Sequence, residues 1–213
     1  MFCKICNALQ SGTDEPDVGP AADPALGRAG AACGGVLRRP PNRVCQDEVM
    51  TVLVRRLAED DWAILREVRL RALIEAPGSF YQTYDGAVVL TEEDWRSRLR
   101  STDKVTLLAE ADGQPAGMVV GAPAGPDERD PDAALMLSMW VDPSFRGQRV
   151  ADELTTELIA WSREQQYKRL LLWVYDAAPR AAAFYRRAGF EPTGRVETFY
   201  DPTRPLTLMS QTL

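Results

Sequence analysis

Two arginines three residues apart, Arg146 and Arg149, bracket Gly147 and Gln148 where one regular element gives way to another. The stretch around them, MWVDPSFRGQRVADELTTELIAW (Met139 to Trp161), reads as a strand ending at Asp142-Pro143, a short basic turn, and a helix opening near Gly147 to Val150. The first turn of a helix carries N–H groups with no partner inside the helix and a partial positive charge, a combination that holds phosphate oxygens. The turn is therefore either a pyrophosphate cradle or an ordinary connection between strand and helix. A second group able to do chemistry is Tyr185, in AAAFYRRAGFEP. Its phenol is a titratable hydrogen-bond donor, or it could be a core aromatic with its hydroxyl at the surface.

The missing residue types narrow the chemistry further. There is no histidine, and the four cysteines (Cys3, Cys6, Cys33 and Cys45) all lie in the first 45 residues. The rest of the chain can use no thiol nucleophile, imidazole base, His-ligated metal or Ser-His-Asp arrangement. No metal is expected. A formal charge of −6 argues against a general nucleic-acid binder, which would show a basic excess. No apolar run approaches the length needed to span a bilayer, and Met1 to Gln10 lacks a signal peptide's apolar core. The expectation is a soluble, cytoplasmic protein with no membrane or nucleic-acid partner, either monomer or homodimer.

The elements that would position these groups can be read from pattern. Residues 1–49 are rich in Gly, Pro, Ala and Asp without helical or alternating period, so they are expected to be disordered or a non-native extension. Cys3 and Cys6 lack the second pair that a zinc site needs. Residues 50–213 form the expected folded domain. Val52 to Leu57 is a strand, followed by a helix that opens on Glu59, Asp60 and Asp61 and runs to Pro77-Gly78. Its Arg66, Arg69 and Arg71 are expected on a solvated face. Ser79 to Leu90 has no strong period. Thr91 and Asp94 make a capping-box start for a second helix. Asp112-Gly113 between two β runs signals a hairpin. Ala133 to Val141 and Arg169 to Tyr175 are nearly all apolar and read as strands buried on both faces. Between them, Val150, Leu154, Leu158 and Trp161 fall on one helical face. Pro179 to Ala188 is a helix stopped by Gly189, with Ala178, Ala181 and Tyr185 on one face where small alanines would leave room for a ligand. Two strands close the chain.

Two motifs carry a resemblance. VDPSFRGQRVA resembles the acetyl-CoA loop of the GNAT superfamily of N-acetyltransferases, whose pattern is Q/R-x-x-G-x-G/A. Arg146 fits its first position and Ala151 its last, while Arg149 stands where the family usually has its central glycine. If that position needs positive φ, arginine is costly there; if it is already helical, arginine is harmless and adds a phosphate contact. FYRRAGF, with Phe184, Tyr185, Gly189 and Phe190, resembles the family's F-Y-x-x-x-G-F block, although Ala178 stands where an Asn is common. The element order β-α-α-β-β-β-α-β-α-β-β is that of the family, over roughly Val52 to Leu213. The resemblance implies an α/β fold with a mixed, mostly antiparallel sheet of six or seven strands flanked by about four helices.

The resemblance also implies an activity: transfer of an acetyl group from acetyl-CoA to a primary amine of a small molecule or a peptide N-terminus, by direct attack in a ternary complex. On that reading the backbone of Gly147, Gln148, Arg149, Val150, Ala151 and Asp152, with Arg146, holds the pyrophosphate. Met139, Trp140 and Val141 align the pantetheine arm, and Tyr185 returns a proton to the thiolate. The acceptor is expected against Phe80, Tyr84 and Asp85 and the turn at Tyr200 and Asp201, where aromatics stand beside carboxylates. The alternatives are a non-catalytic acyl-CoA-binding module of the same fold and a nucleotide-binding protein sharing only the phosphate loop.

Overall fold

A computed structural model describes residues 50–199 and 201–213. The expectations for residues 1–49, including Cys3 and Cys6, and for Tyr200 lie outside the described residues. Seven strands form one sheet: β1 (Val52–Arg56), β2 (Val105–Ala111), β3 (Gln114–Pro123), β4 (Ala133–Val141), β5 (Arg169–Tyr175), β6 (Glu191–Glu197) and β7 (Leu206–Thr212). Their order is β1-β2-β3-β4-β5-β7-β6, and only the β4–β5 pair is parallel. The helices are α1 (Trp62–Glu75), α2 (Tyr84–Val88), α3 (Glu92–Leu99), α4 (Val150–Glu164) and α5 (Pro179–Arg187). The architecture is the mixed α/β one expected, with the short α2 added inside the stretch that shows no period.

Local chemistry explains most of these elements. The β2–β3 turn places Asp112 at φ 48° and Gly113 at φ 77°, the pair of positive values that a tight, twisted hairpin requires. Thr91 caps α3, accepting from the Asp94 amide at 3.2 Å while the Asp94 carboxylate accepts from the Thr91 amide at 2.8 Å. α2 is capped by Thr83, whose hydroxyl accepts from the Gly86 amide at 3.1 Å. α5 ends in a Schellman motif, with the Phe190 amide bonded to the Tyr185 carbonyl at 2.9 Å and the Gly189 amide to that of Arg186 at 3.0 Å.

The core lies on both sheet faces. Val150, Leu154, Leu158 and Trp161 of α4 are buried as their spacing predicts. α4 sits close on β3 because of Gly117 and Gly121: a Cβ at Gly121 would stand 2.5 Å from Leu158 Cδ1 and 2.7 Å from the Trp161 ring. On the other face, α1, α2 and α3 cover Leu108, Met118 and Trp140. Here the expectation of a solvated arginine face fails. α1 packs against the sheet, α2 and α3 at once, so more than one of its sides is covered. Arg69 is only 5% exposed, and Arg71 pairs with Asp142.

Candidate active site: a split sheet and the turn before α4

β4 and β5 pair only over Ala133 to Leu135, opposite Arg169 to Leu171. Beyond that they part, so the later residues of β4 have no β5 partner in the ladder. The register with β3 supplies the cause. Met118 faces Trp140 and Val120 faces Leu137, which leaves Val119 opposite two residues, Ser138 and Met139. This is a β-bulge, and Ser138 sits in it at φ 55°. A non-glycine residue there costs on the order of 1 kcal/mol, and such strain gathers at functional positions. Neither the bulge nor the Ser138 geometry is readable from the nearly uniform apolar run. Met139, Trp140 and Val141 bury their side chains, so only their backbone could meet a ligand. The Val141 carbonyl already accepts from Arg146 Nε at 3.1 Å.

The turn after β4 is a 3-10 turn, Pro143–Phe145, followed by Gly147 at φ 78° and Arg149 at φ 66°. α4 therefore opens at Val150, within the expected Gly147 to Val150, and Arg149 is its left-handed N-cap. Of the two conformations open to this position, the one that favours glycine is found. Arg149 makes no side-chain cap, so the first-turn amides of Val150, Ala151 and Asp152 have no partner from it. A Cβ on Gly147 would meet nothing within 4 Å, which leaves its side of the turn open. Together these features leave a run of backbone donors at a helix N-terminus, suited to an anionic oxygen cluster.

The two arginines differ in their use. Arg146 is tied inward, its Nη2 2.8 Å from Glu75 Oε2. Arg149 is 80% exposed along its side chain and lies 3.3 Å from Glu153. The Gln148 side chain donates through Nε2 to the Ser144 carbonyl at 3.0 Å, and Asp152 stands 3.9 Å from Arg187. Asp142 braces the turn. Burial pushes its carboxyl up, but hydrogen bonds from the Ser144 hydroxyl and amide and the Arg71 guanidinium outweigh that and hold it below the ordinary range.

On the β5 side, Phe80, Tyr81, Gly78, Tyr175, Asp201 and Arg204 line a cavity of about 280 Å³. Tyr175 ends β5, so it borders both this cavity and the split. Arg204 joins the two loops, donating to the Gly78 carbonyl at 2.9 Å and lying 4.2 Å over the Tyr175 ring. The Thr203 hydroxyl and amide hold the Asp201 carboxyl below its usual range, so it stays anionic. Phe80 and Asp201 thus line one cavity, while Tyr84 and Asp85 do not: they open α2 and are exposed. Tyr81, Tyr175 and Arg204 complete the cavity. Of these, only Tyr81 lies in the aromatic stretch that drew attention to Phe80.

Tyr185 is 1% exposed, edge-to-face with Phe184 (5.2 Å between centroids) and Phe190 (5.8 Å). Ala178 and Ala181 are fully buried beside it in the core cluster, so that helix face is packed rather than roomy. Glu110 on β2 sits 3.5 Å from Arg55 on the edge strand β1. Among the described residues no helix is long and apolar enough to cross a membrane.

Comparisons with known proteins agree with this geometry. The model of the acetyltransferase (GNAT) family matches residues 62–190, more than half of the chain. The fold is similar to that of a GNAT-family acetyltransferase from Streptococcus pneumoniae, at 22% identity and a TM-score of 0.62 over 76% of this chain and 99% of that one. It is similar to a ribosomal-protein-alanine N-acetyltransferase from Brucella melitensis, at 23% identity and 0.61 over 76% and 99%. An N-acetyltransferase from Staphylococcus aureus follows at 17% and 0.56, over 76% and 98%. No curated protein matches the chain. The bulged and split sheet, the uncapped turn before α4 and the family match over both motifs lead to one assignment: this chain belongs to the GNAT family of acetyltransferases.

Proposed function

We propose that the chain transfers an acetyl group from acetyl-CoA to a primary amine of a small molecule or a peptide N-terminus. The amine nitrogen attacks the thioester carbonyl directly, the C–N bond forms, the C–S bond breaks, and the thiolate takes up a proton. The observation that carries this reading is the position of the split. It opens between an array of backbone donors at α4 and a cavity that combines aromatic rings with the anionic Asp201.

In this reading the amides from Gly147 to Asp152 hold the pyrophosphate and the free backbone edge of β4 aligns the pantetheine arm. The acceptor enters beside Phe80, Tyr81 and Tyr175, whose rings suit an ammonium, with Asp201 drawing the charge in. An alkylamine has a pKa near 10.4, so it must shed a proton before it attacks. No histidine exists to take it, which leaves water or a carboxylate acting through water.

Thiol release measured over a panel of amines tests the proposal, alongside calorimetric binding of acetyl-CoA. Asp201→Asn should raise the KM of a cationic acceptor several-fold and leave that of acetyl-CoA unchanged. A chain that binds acetyl-CoA but acetylates no amine or peptide would overturn it.

A further inference from the structure

Between α1, α3 and the strands β2 to β4 lies a separate cavity of about 320 Å³. That is near the lower end of the roughly 300–1,000 Å³ that small-molecule sites occupy. Its walls include Leu65, Met118, Val120 and Leu137, and its charged residues are all basic: Arg69, Arg98 and Lys104, with no Asp or Glu. It reaches Ser138 at the bulge of β4.

Two residues on this cavity carry buried donors that are left unmatched. Among the described residues Arg69 Nη1 has no hydrogen-bond partner, and neither has Trp95 Nε1. The partners of Arg69 among the described residues are Gln82 Oε1, at 3.4 Å from Nε, and the Phe80 ring, 4.3 Å from the guanidinium carbon. A ring face and an amide oxygen compensate only part of a buried charge. Buried indole N–H groups likewise nearly always find an acceptor. For packing alone, an aliphatic side chain at position 69 would serve better than a guanidinium with an unmade bond.

We propose that this cavity binds a small monocarboxylate with a short apolar body, whose oxygens take the hydrogen bonds that Arg69 and Trp95 leave unmade. A guanidinium fork matches a planar carboxylate, and Leu65, Met118, Val120 and Leu137 suit a hydrocarbon tail. A phosphate presents oxygens on every side, so part of its charged surface would lie against the apolar wall of Leu65, Met118, Val120 and Leu137. The site does not depend on the acetyl-transfer reading, and binding alone reports it.

The test is calorimetry and thermal melting of the full chain with benzoate and hexanoate, using benzamide, hexanamide and inorganic phosphate as controls. Both carboxylates should bind and raise the melting temperature, with the amides and phosphate about 10-fold weaker or worse. Arg69→Met should melt at or above the wild type without ligand, because an unpaired charge is gone, and should bind benzoate about 10-fold more weakly or not at all. Trp95→Phe keeps the ring and should weaken benzoate a few-fold. Equal affinity for benzoate and benzamide, phosphate binding as tight as benzoate, or unchanged benzoate binding in Arg69→Met would each overturn the proposal. So would failure of both carboxylates to bind at millimolar concentration. Steady-state kinetics then separates two sources of the carboxylate. If benzoate raises the acceptor KM, the group belongs to the acceptor itself; if it leaves KM alone, it belongs to a separate ligand. The site stands in both cases.

Discussion

Glu75, the last residue of α1, holds Arg146 of the α4 turn in an ion pair of 2.8 Å, and the same carboxylate oxygen accepts from Trp140 Nε1 at 3.0 Å. One carboxylate therefore fixes the end of α1, the end of β4 and the turn that carries the backbone donors. Glu75 and Arg146 are each 19% exposed along their side chains, so the pair is only lightly screened. Glu75→Ala removes the carboxylate beside a largely buried guanidinium, leaves the bond to the Val141 carbonyl, and should cost about 2 kcal/mol, below the ~3–5 of a fully buried pair. For a domain of this size that is a drop of roughly 4–8 °C in Tm. Acetyl-CoA affinity should fall with it, since the turn loses its anchor. Melting and calorimetry on Glu75→Ala, Arg146→Ala and the double variant check this, and additive losses would show that the two residues act independently.

Arg149 is expected to pull stability and binding in opposite directions. At φ 66° it carries the strain of a left-handed side chain, worth about 1 kcal/mol. Arg149→Gly should therefore melt roughly 2–4 °C higher. It should also bind acetyl-CoA more weakly, having lost a cation beside the phosphate array. Arg149→Ala keeps the strain and loses the charge, so it should bind about 10-fold more weakly with no gain in Tm. If both variants bind as wild type does, the side chain contributes nothing to phosphate binding.

Asp142 sets an acid limit. Its folded-state carboxyl lies below the ordinary range, so its contribution is complete above the unfolded value near 3.9. It is lost as pH falls through the lower folded value. Asp142→Asn should melt below wild type at pH 7, and the gap should close on acidification below about pH 4. A constant gap from neutral to acid pH would mean that the bonds from Ser144 and Arg71 do not depend on the charge.

Tyr185 is proposed as the acid that reprotonates the departing thiolate. A phenol near pKa 10 giving its proton to a thiolate near 8.5 is uphill by about 2 kcal/mol. A desolvated thiolate has a raised proton affinity, which offsets that cost. Tyr185→Phe should lower kcat by about 10²–10⁴-fold with little change in acetyl-CoA affinity. The burial of Tyr185 between Phe184 and Phe190 makes the control informative. Lower affinity or a lower Tm with unchanged kcat would make it a packing residue.

The parts legible in the sequence are those set by neighbours along the chain. The α4 stripe, the Asp112-Gly113 turn, the Thr91 capping box and the Gly189 stop each follow from a few adjacent residues, and each is found. α2 escaped because five residues are too few to show a period. The site's bracing escaped for a different reason. Glu75 lies 65 residues from Trp140 and 71 from Arg146, and nothing local marks the three as partners. A charge on an amphipathic helix is ordinarily solvated, and Arg69 is buried only because α1 packs against the sheet, α2 and α3 together. The left-handed turn at Arg149 is set by the path of the chain from β4 into α4, which the residue types around position 149 do not determine.

The short β4–β5 ladder has a consequence for molecular mechanics. Three residue pairs join the two halves of the sheet directly, and past Leu135 two facing strand edges are left without each other's hydrogen bonds. An extended ligand with amide groups, laid in that gap, would stand in for the missing strand and bridge edges that the bulge holds apart. Amide hydrogens along Met136 to Val141 that face the gap should then exchange freely in the unliganded protein and slow when it is filled. The seam between the halves would be closed by the substrate rather than by the chain.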